Sequence, residues 1–372
     1  MLSVEQSRVR QRRLLDAMAE QRVDLAVVTD YRHVYYLTAR LAQPDQPTVL
    51  LLSSDGATTL IGPDGDAPGA ADRVMAYPTF SVEKLIDDLA ADAADLLEAA
   101  MGQVTSPARM FIEPSTLPDR LAAMLRQRAP QAEYVDLRPT MLQLRKRKDP
   151  DEIACFRASI RLAEAGYAAA RRTIDVGRTE LDVHAAMYEA MVQALSSSLT
   201  LDGDFATGQR ADRGGGPPTQ RQIEPGDLYI LDIFPRIDGY ACDLCRTFAV
   251  NEPTDVQRQA WQLVHSTLQE VADLIRPGIT GGQIRAEMER RLHAGDLARG
   301  SFFHHAGHGI GLQPHEAPRM IIDCDHVLAP GDVFTLEPGI YGPHLQGGIR
   351  LEHNYLLGPD GPEQLDAFPM DL

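Results

Sequence analysis

The sequence has few of the features that mark secreted, membrane-spanning or nucleic-acid-binding proteins. Only four of its 372 residues are cysteine, too few for a disulfide framework, so we predict a reducing compartment, the cytoplasm. No apolar run approaches the ~20 residues of a membrane span, and residues 1–20 form an Arg-rich helical pattern without the apolar centre of a signal peptide. Basic residues number 36 against 53 acidic ones, and the net charge of −17 would repel nucleic acid. We therefore expect a soluble protein that binds neither membranes nor nucleic acids.

The length of the chain favours two domains, and its first part has an α/β pattern. Helical and strand patterns alternate over the first 145 residues, which is typical of layered α/β domains. The predicted helices cover residues 11–21 and 82–101, and the predicted strands cover residues 25–29, 48–52, 58–61, 110–112 and 134–135. An N-terminal α/β domain is predicted over residues 1–145.

A charged break at residues 145–150 marks the boundary to the second predicted domain, residues 150–372. A long helix is predicted from Asp151 to Thr173, and helices then mix with hairpin-like segments. In one of these, residues 228–233 turn through Asp238-Gly239 into residues 240–250.

A weak internal sequence repeat suggests that this second part contains two similar halves. Gly177-Arg178-Thr179 precedes a predicted helix at 180–195, and Gly278-Ile279-Thr280 precedes another at 283–292. Both threonines are suited to cap a helix N-terminus. Because Gly-x-Thr before a helix is common, chance similarity is the alternative.

Two aspartates in strand patterns are the first candidate metal ligands. Asp232 and Asp243 are 11 positions apart across a turn, a spacing that lets adjacent antiparallel strands bring them face to face. An aspartate in an apolar strand is costly unless it is paired or binds a cation. Taken singly, either residue is better explained as a solvated edge residue.

A histidine cluster provides candidate nitrogen ligands. Four of the 11 histidines fall within 12 residues, at positions 304, 305, 308 and 315. Glycines beside His308 permit close backbone approach to a ligand or a tight bend. A cluster of this kind suggests some metal, and a loop of surface histidines is the alternative.

Two glutamates complete the candidate set. Glu337 and Glu352 lie in apolar, strand-like contexts where an unpartnered carboxylate is costly. An ordinary salt bridge to Arg350 would account for one of them. Four carboxylates with one imidazole form an oxygen-rich set that suits manganese, cobalt, iron or zinc, and two such ions ~3.5–4 Å apart can hold a hydroxide nucleophile.

These motifs resemble those of the pita-bread metallopeptidases, the group that includes methionine aminopeptidase, aminopeptidase P, prolidase and creatinase. The matching segments are residues 232 and 243, 307–309 with 315, 335–338, and 350–352. Tyr36-Leu37-Thr38 resembles the creatinase-type N-terminal domain of the proline-specific members. The resemblance implies an α/β N-terminal domain followed by an α+β pita-bread domain with two pseudo-symmetric halves.

The resemblance also implies roles for individual residues. The implied metal ligands are Asp232, Asp243, His308, Glu337 and Glu352, with Asp243 and Glu352 bridging two ions. His304 and His315 match histidines that contact substrate and stabilise the tetrahedral intermediate. Glu337 resembles the general base that takes a proton from the attacking water, while Tyr341 and Arg350 match positions that orient ligands and substrate.

The function implied is that of an Xaa-Pro aminopeptidase or Xaa-Pro dipeptidase. Two divalent ions are expected, manganese first, with cobalt, zinc or iron as alternatives. The expected partner is a small peptide that contains proline, and a homodimer is implied by relatives with this N-terminal domain.

One position departs from the family pattern. Gly215 stands where the family places a loop histidine that contacts the scissile peptide. Its loss motivates a second hypothesis, a non-peptidase enzyme with a C–N or C–S substrate. The loop arginines Arg210, Arg213 and Arg221 suggest a bulkier or anionic substrate, unless the loop is simply solvated. A third hypothesis is a non-catalytic binding protein, although such a protein would be expected to lose ligands.

A Cys-x-x-Cys pair is present but does not suit a redox or zinc site. Cys242 and Cys245 are three positions apart. Since neighbouring strand residues alternate faces, the two thiols are expected to point to opposite sides.

Overall fold

A computed structural model describes residues 1–65, 69–83, 85–86, 88–102, 107–197, 199–294, 297 and 302–372. The chain divides into two compact units, Met1–Arg145 and Lys146–Leu372. No helix in these described ranges is both long enough and apolar enough to cross a membrane.

The first unit is a six-stranded mixed sheet with helices. Its elements are α1 (Val4–Gln21), β1 (Leu25–Val28), α2 (Tyr31–Thr38), β2 (Val49–Ser53), β3 (Thr58–Pro63), β4 (Arg73–Tyr77), α3 (Leu89–Met101), β5 (Arg109–Ile112), α4 (Asp119–Arg128), β6 (Glu133–Asp136) and α5 (Arg138–Lys146). The strand order is β4-β3-β2-β1-β5-β6. Strands β1, β5 and β6 run parallel, and β2 is antiparallel to both of its neighbours.

The α/β prediction for this part is confirmed, although α1 begins earlier than the predicted residue 11 and α3 begins later than predicted. The five predicted strands correspond to β1, β2, β3, β5 and β6. Helix α3 begins at Leu89 instead of residue 82, because the Asp88 side chain accepts a hydrogen bond from the Ala91 N–H and starts the helix there. Within the segment predicted as helix, residues 84 and 87 lie outside the described residues.

The second unit repeats one arrangement, two helices followed by antiparallel strands. The first half contains α6 (Pro150–Thr173), α7 (Glu180–Leu195), β7 (Thr200–Thr207), a 3₁₀ helix (Gly208–Arg213), β8 (Leu228–Ile237), β9 (Tyr240–Ala241) and β10 (Leu244–Ala249). The second half contains α8 (Asp255–Leu274), α9 (Gly281–Leu292), β11 (His308–Gly309), β12 (Glu316–Arg319), β13 (Val333–Leu336), β14 (Gly339–Gly342), a 3₁₀ helix (Pro343–Leu345), β15 (Gly347–Arg350), β16 (His353–Leu357) and β17 (Pro362–Gln364). The strand orders are β10-β8-β7, with β9 on β8, then β12-β11-β13-β16-β17, and the pair β14-β15.

Local capping explains why the helices of the two halves correspond. Thr179 caps α7 and Thr280 caps α9, each in a reciprocal capping box with the third residue of its helix. Each threonine also forms an isolated β-bridge, to Gln222 and to Val327 respectively. The predicted internal repeat is therefore present, and each half has its own apolar core against its helix pair.

Candidate metal centre

The two candidate aspartates lie close to each other but not directly opposite. Asp232 lies in β8, opposite Asp204 of β7 and Cys245 of β10. Asp243 lies in the gap between β9 and β10, and its backbone N–H donates to Asn354 Oδ1 at 3.1 Å. The prediction that adjacent strands set the two aspartates face to face is wrong, because the gap takes Asp243 out of the strand register.

His308 presents one nitrogen to the carboxylates. It begins β11, where its Nδ1 lies 3.0 Å from the Gly309 carbonyl oxygen and donates to it. Its Nε2 then faces Asp243 Oδ2 at 3.4 Å and Glu337 Oε1 at 3.5 Å. A Cβ at Gly309 would lie 2.0 Å from the Ala317 carbonyl oxygen, so glycine is needed for β11 and β12 to approach this closely.

The two candidate glutamates follow the ends of strands instead of lying within them. Glu337 comes directly after β13, and Thr335 Oγ1 donates to its Oε1 at 3.4 Å. Glu352 comes two residues after β15; its side chain is 1% exposed, and its backbone N–H donates to the Cys245 carbonyl oxygen at 3.1 Å. Arg350, the alternative salt-bridge partner of these glutamates, pairs with aspartates instead.

The donor atoms fall into overlapping groups. The ligand atoms of Asp243, His308 and Glu352, all buried, lie within 4.8 Å of one another. Two further groups of this size are His304, His305 and Glu337, and His305, His308 and His315. Asp232 falls in no three-donor group among the described residues, and its Oδ2 accepts from Arg350 Nε at 3.0 Å and Nη2 at 2.6 Å.

The site fits divalent cations on two observations. Donor atoms that share one cation at ~2.0–2.2 Å lie ~3–3.5 Å apart, and the two His308 Nε2 separations of 3.4 and 3.5 Å are of this size. Both carboxylate oxygens of Glu352 and Oδ1 of Asp232 are buried without a hydrogen-bond partner. Such groups are costly, and cations would compensate all three oxygens.

Burial raises the pKa of two of the carboxyl groups. For Glu352, burial and the neighbouring Asp243, Asp232 and Glu337 raise the pKa well above its ordinary value. For Asp232, burial raises the pKa although the Arg350 guanidinium opposes the shift. In both groups burial is the largest cause and neighbouring carboxylates add to it, so a bound cation or a proton would relieve the cost.

The imidazoles act in the opposite direction on Glu337. Burial alone would raise its pKa, but His305, His308 and His304 outweigh burial and lower the pKa to about 2. Burial likewise disfavours a charged His308, yet Asp243 and Glu337 raise the pKa of that imidazole. Glu337 is therefore negatively charged and lies beside the imidazoles of His304, His305 and His308.

A chain of hydrogen bonds connects Arg350 to His304. Arg350 Nη1 donates to the Tyr341 hydroxyl at 3.1 Å, and that hydroxyl lies 2.9 Å from His304 Nε2. His304 Nδ1 lies 2.7 Å from the His305 carbonyl oxygen and must donate to it, so Nε2 accepts from Tyr341. Burial lowers the pKa of His304 to about 4 despite the nearby Glu337, which keeps this imidazole neutral at pH 7.

His315 lies at the surface beside the other histidines of the centre. It is exposed, and its ring centroid lies 4.2 Å from that of His308. The next residue, Glu316, is buried; it accepts from the Gln313 N–H at 2.9 Å and pairs with Lys148 Nζ at 3.2 Å. These contacts anchor the loop and leave the His315 imidazole free to meet a ligand.

Gly215 lies against Asp204 and has no room for a side chain. Its φ is +154°, and a Cβ placed on it would lie 2.5 Å from both Cβ and Cγ of Asp204. The Asp204 carboxylate accepts from Arg350 Nη2 at 2.7 Å, and the same nitrogen donates to Asp232. Asp204 therefore occupies the space that a longer residue at position 215 would need, and it is linked to Asp232 through Arg350.

Two of the loop arginines are engaged within the protein. Arg210 pairs with Glu180 and donates to the Pro217 carbonyl oxygen at 2.8 Å. Arg221 Nη1 donates to Asp227 Oδ2 and to Thr207 Oγ1, both at 2.6 Å. Because their charges are already paired, these contacts count against the hypothesis that the two arginines attract an anionic substrate.

Cys242 and Cys245 belong to different apolar clusters, which confirms that their thiols point to opposite sides. Both are buried and unbridged.

Sequence reasoning gave no individual role to three residues that shape the centre. Asn354 holds the Asp243 backbone from both sides, accepting from its N–H and donating to its carbonyl oxygen. Asp204 shares Arg350 with Asp232. His305 lies with Nδ1 3.0 Å from Glu337 Oε1. Only His305 had a visible signal, its place in the histidine cluster; the other two contacts join residues more than 100 positions apart.

Two family profiles match the chain. Residues 154–359 match metallopeptidase family M24, and residues 10–147 match the creatinase/prolidase N-terminal domain. Among curated proteins, an Xaa-Pro dipeptidase of Pyrococcus horikoshii is 26% identical over 362 residues, which cover 97% of each chain.

Solved structures share the whole fold. An Xaa-Pro dipeptidase of Bacillus anthracis superposes with a TM-score of 0.86 at 24% identity and covers 98% of this chain and 99% of its own. An X-Pro aminopeptidase of Thermotoga maritima has a TM-score of 0.83 at 21% identity, with coverages of 97% and 98%. The predicted fold, an α/β domain followed by a two-half pita-bread domain, is confirmed.

Proposed function

The chain belongs to metallopeptidase family M24, and we propose that it hydrolyses the bond before proline in short Xaa-Pro peptides with two divalent metal ions. The buried group of Asp243, His308 and Glu352 carries this proposal. Its ligand atoms lie within 4.8 Å of one another, and both Glu352 oxygens lack a hydrogen-bond partner. A structural ion pair would leave no such oxygens free.

The proposed metal ligands are Asp232, Asp243, His308, Glu337 and Glu352. When bound, the ions would lower the pKa of a water molecule and stabilise negative charge that develops on the scissile carbonyl. Manganese is the first ion to test, because oxygen donors dominate this set.

The remaining roles follow from the position of each side chain. We assign proton transfer to Glu337, which is anionic and is held by Thr335 at the edge of the centre. His315 is exposed beside His308 and is assigned to substrate contact.

His304, Tyr341 and Arg350 form one connected unit that borders both Glu337 and Asp232. We propose that this unit positions the substrate and holds Asp232 in place. In this geometry both His304 nitrogens already form hydrogen bonds. For His304 to donate to a developing oxyanion, its Nε2 must lose the hydrogen bond from Tyr341 and take up a proton.

Relatives support the substrate class. The Pyrococcus and Bacillus proteins are named Xaa-Pro dipeptidases, and the Thermotoga protein is named an X-Pro aminopeptidase. We propose that this chain also acts on an Xaa-Pro bond, in a dipeptide or at the N-terminus of a longer peptide.

A panel of peptides and metals tests this function. Metal-stripped protein is reloaded with manganese, cobalt, zinc or iron and assayed on Ala-Pro, Ala-Pro-Ala and Ala-Ala. Cleavage of one Xaa-Pro peptide, with Ala-Ala uncleaved, is expected; the peptide that is cleaved separates dipeptidase from aminopeptidase. Absence of turnover across the panel, with two ions bound per chain, would refute the proposal.

The second candidate is a hydrolase for a small molecule with a C–N or C–S bond. The Asp204 carboxylate against Gly215 favours it, since it sets a negative group and no imidazole at this side of the centre. A metal-loaded protein that leaves every peptide intact but cleaves such a compound would establish this alternative.

We also propose a homodimer in the cytoplasm. The dimer rests on the resemblance of the N-terminal domain, and light scattering would give twice the chain mass of 40.9 kDa. The four free cysteines suit a reducing compartment.

A further inference from the structure

His305 is an additional imidazole at the candidate centre that the proposed ligand set does not use. It lies in the loop between His304 and β11, with 31% of its side chain exposed. Its Nδ1 is buried and makes no hydrogen bond, although it lies 3.0 Å from Glu337 Oε1. The short separation without a hydrogen-bond alignment leaves His305 Nδ1 without a partner, whereas Glu337 Oε1 accepts from Thr335 Oγ1 at 3.4 Å.

Like His308, His305 belongs to two of the donor groups. It belongs to the group with His304 and Glu337 and to the group with His308 and His315. Its ring centroid lies 5.2 Å from that of His308 and 5.6 Å from that of His315. The centre therefore has a carboxylate side, formed by Asp232, Asp243 and Glu352, and an imidazole side that faces Glu337.

We propose that His305 is a further metal ligand of this centre, binding through Nδ1 the ion that Glu337 also binds. The 3.0 Å between the two donor atoms is the distance expected when both bind one cation at ~2.0–2.2 Å. This inference rests on the metal dependence proposed above, and it concerns the ligand set, not the substrate.

The added imidazole predicts unequal ions at the two positions. Carboxylate oxygens suit manganese, whereas imidazole nitrogen suits zinc, iron and related borderline ions. The metal position on the imidazole side should therefore bind zinc or cobalt in preference to manganese, even when the other position holds manganese. If His305 only donated a hydrogen bond to Glu337, it would affect affinity without selecting between the metals in this way.

Proton NMR of the cobalt-substituted protein tests the ligand directly. Co²⁺ shifts the exchangeable N–H proton of each bound imidazole far outside the ordinary range, so these signals report the coordinated histidines. The full chain loaded with two Co²⁺ is compared with His305→Gln and with the control His265→Gln. His265 is a suitable control because it lies on α8 in the same unit, stacked on Trp261.

We expect His305→Gln to lack one shifted N–H signal that the wild type and His265→Gln retain. Competition dialysis should also show the zinc-to-manganese preference of His305→Gln reduced by more than about tenfold. An unchanged set of shifted signals in His305→Gln would overturn the proposal, whatever the effect on affinity. Should His305→Gln fail to fold by circular dichroism, His305→Asn is measured in its place.

The outcome is separable from that of the proposed function. A wild type that shows the His305 signal but cleaves no Xaa-Pro peptide would refute the peptidase assignment alone. A wild type that cleaves Xaa-Pro peptides, paired with a His305→Gln spectrum identical to its own, would refute the ligand assignment alone.

Discussion

Replacing Glu352 by glutamine tests whether its buried carboxylate serves to bind cations. The substitution preserves size and removes only the negative charge. Glu352 is 1% exposed, has no hydrogen-bond partner for either oxygen, and shares its surroundings with Asp243. In the metal-free protein this charge is unfavourable, and with metal bound it is a ligand, so the two forms should respond to the change in different ways.

The metal-free protein should become less stable as the pH rises. The folded pKa of Glu352 lies above its unfolded value, so its contribution to stability is present in full below the unfolded pKa of ~4.3 and is lost as the pH rises towards the folded pKa. Each unit of the shift corresponds to about 1.4 kcal/mol. Glu352→Gln removes this titration and should flatten the decline in Tm above pH 5.

Metal binding should stabilise the wild type much more than the Glu352→Gln variant. At an ion concentration of 100 times Kd the gain is about 2.7 kcal/mol. In a unit of this size, 1 kcal/mol moves Tm by about 2–4 °C, so the expected rise is about 5–11 °C. Loss of a ligand from the buried group should remove most of this rise in Glu352→Gln.

The assay is thermal unfolding between pH 5 and 8, with and without manganese or cobalt, for wild type, Glu352→Gln and Glu252→Gln. Glu252 is a matched control because its side chain is 93% exposed and lies in the same unit. The reasoning fails if metal raises the Tm of Glu352→Gln as much as that of the wild type. It also fails if the pH dependence of the metal-free wild type is that of Glu352→Gln.

Three further substitutions probe the surroundings of the centre. Gly215→His should not increase peptidase kcat/KM and should lower stability by about 1–3 kcal/mol, because its Cβ would lie 2.5 Å from the Asp204 side chain; full stability with raised activity would contradict this. Tyr341→Phe removes the hydroxyl that connects the Arg350 guanidinium to the His304 imidazole, so kcat should fall about 10- to 100-fold. Metal content by elemental analysis should stay at the wild-type value. Unchanged kcat would show that the hydroxyl positions nothing. Asn354→Ala releases the Asp243 backbone, and metal affinity by calorimetric titration should fall about 10- to 100-fold, whereas wild-type affinity would show that this support is dispensable.

Local patterns in the sequence were enough to predict the layout of the fold. Thr179 and Thr280 cap the corresponding helices of the two halves, as their spacing predicted. The apolar runs at residues 25–29 and 48–52 became neighbouring strands β1 and β2. These features depend on residues a few positions apart, because helix capping and the alternation of side chains along a strand are local to one helix or strand. Helix α3 shows where such short-range patterns fail. Its helical periodicity extends back to residue 82, but capping by Asp88 makes the helix begin at Leu89.

The candidate ligands could also be named from the sequence, because a carboxylate or imidazole in an apolar context is recognisable without coordinates. Their assignment as ligands stays a prediction. What the sequence could not supply was their mutual arrangement, such as the displacement of Asp243 from the strand opposite Asp232.

The tertiary structure alone decided how the side chains around the centre are held. Asn354 reaches Asp243 across 111 positions, and Arg350 reaches Asp232 across 118 and Asp204 across 146. The sequence by itself determined the type of fold and the chemistry of the donor residues, since both follow from residue type and short-range pattern. Which oxygens lack partners, which nitrogen of His304 accepts and why position 215 must stay small depend on contacts between distant segments, and only the folded chain brings those segments together.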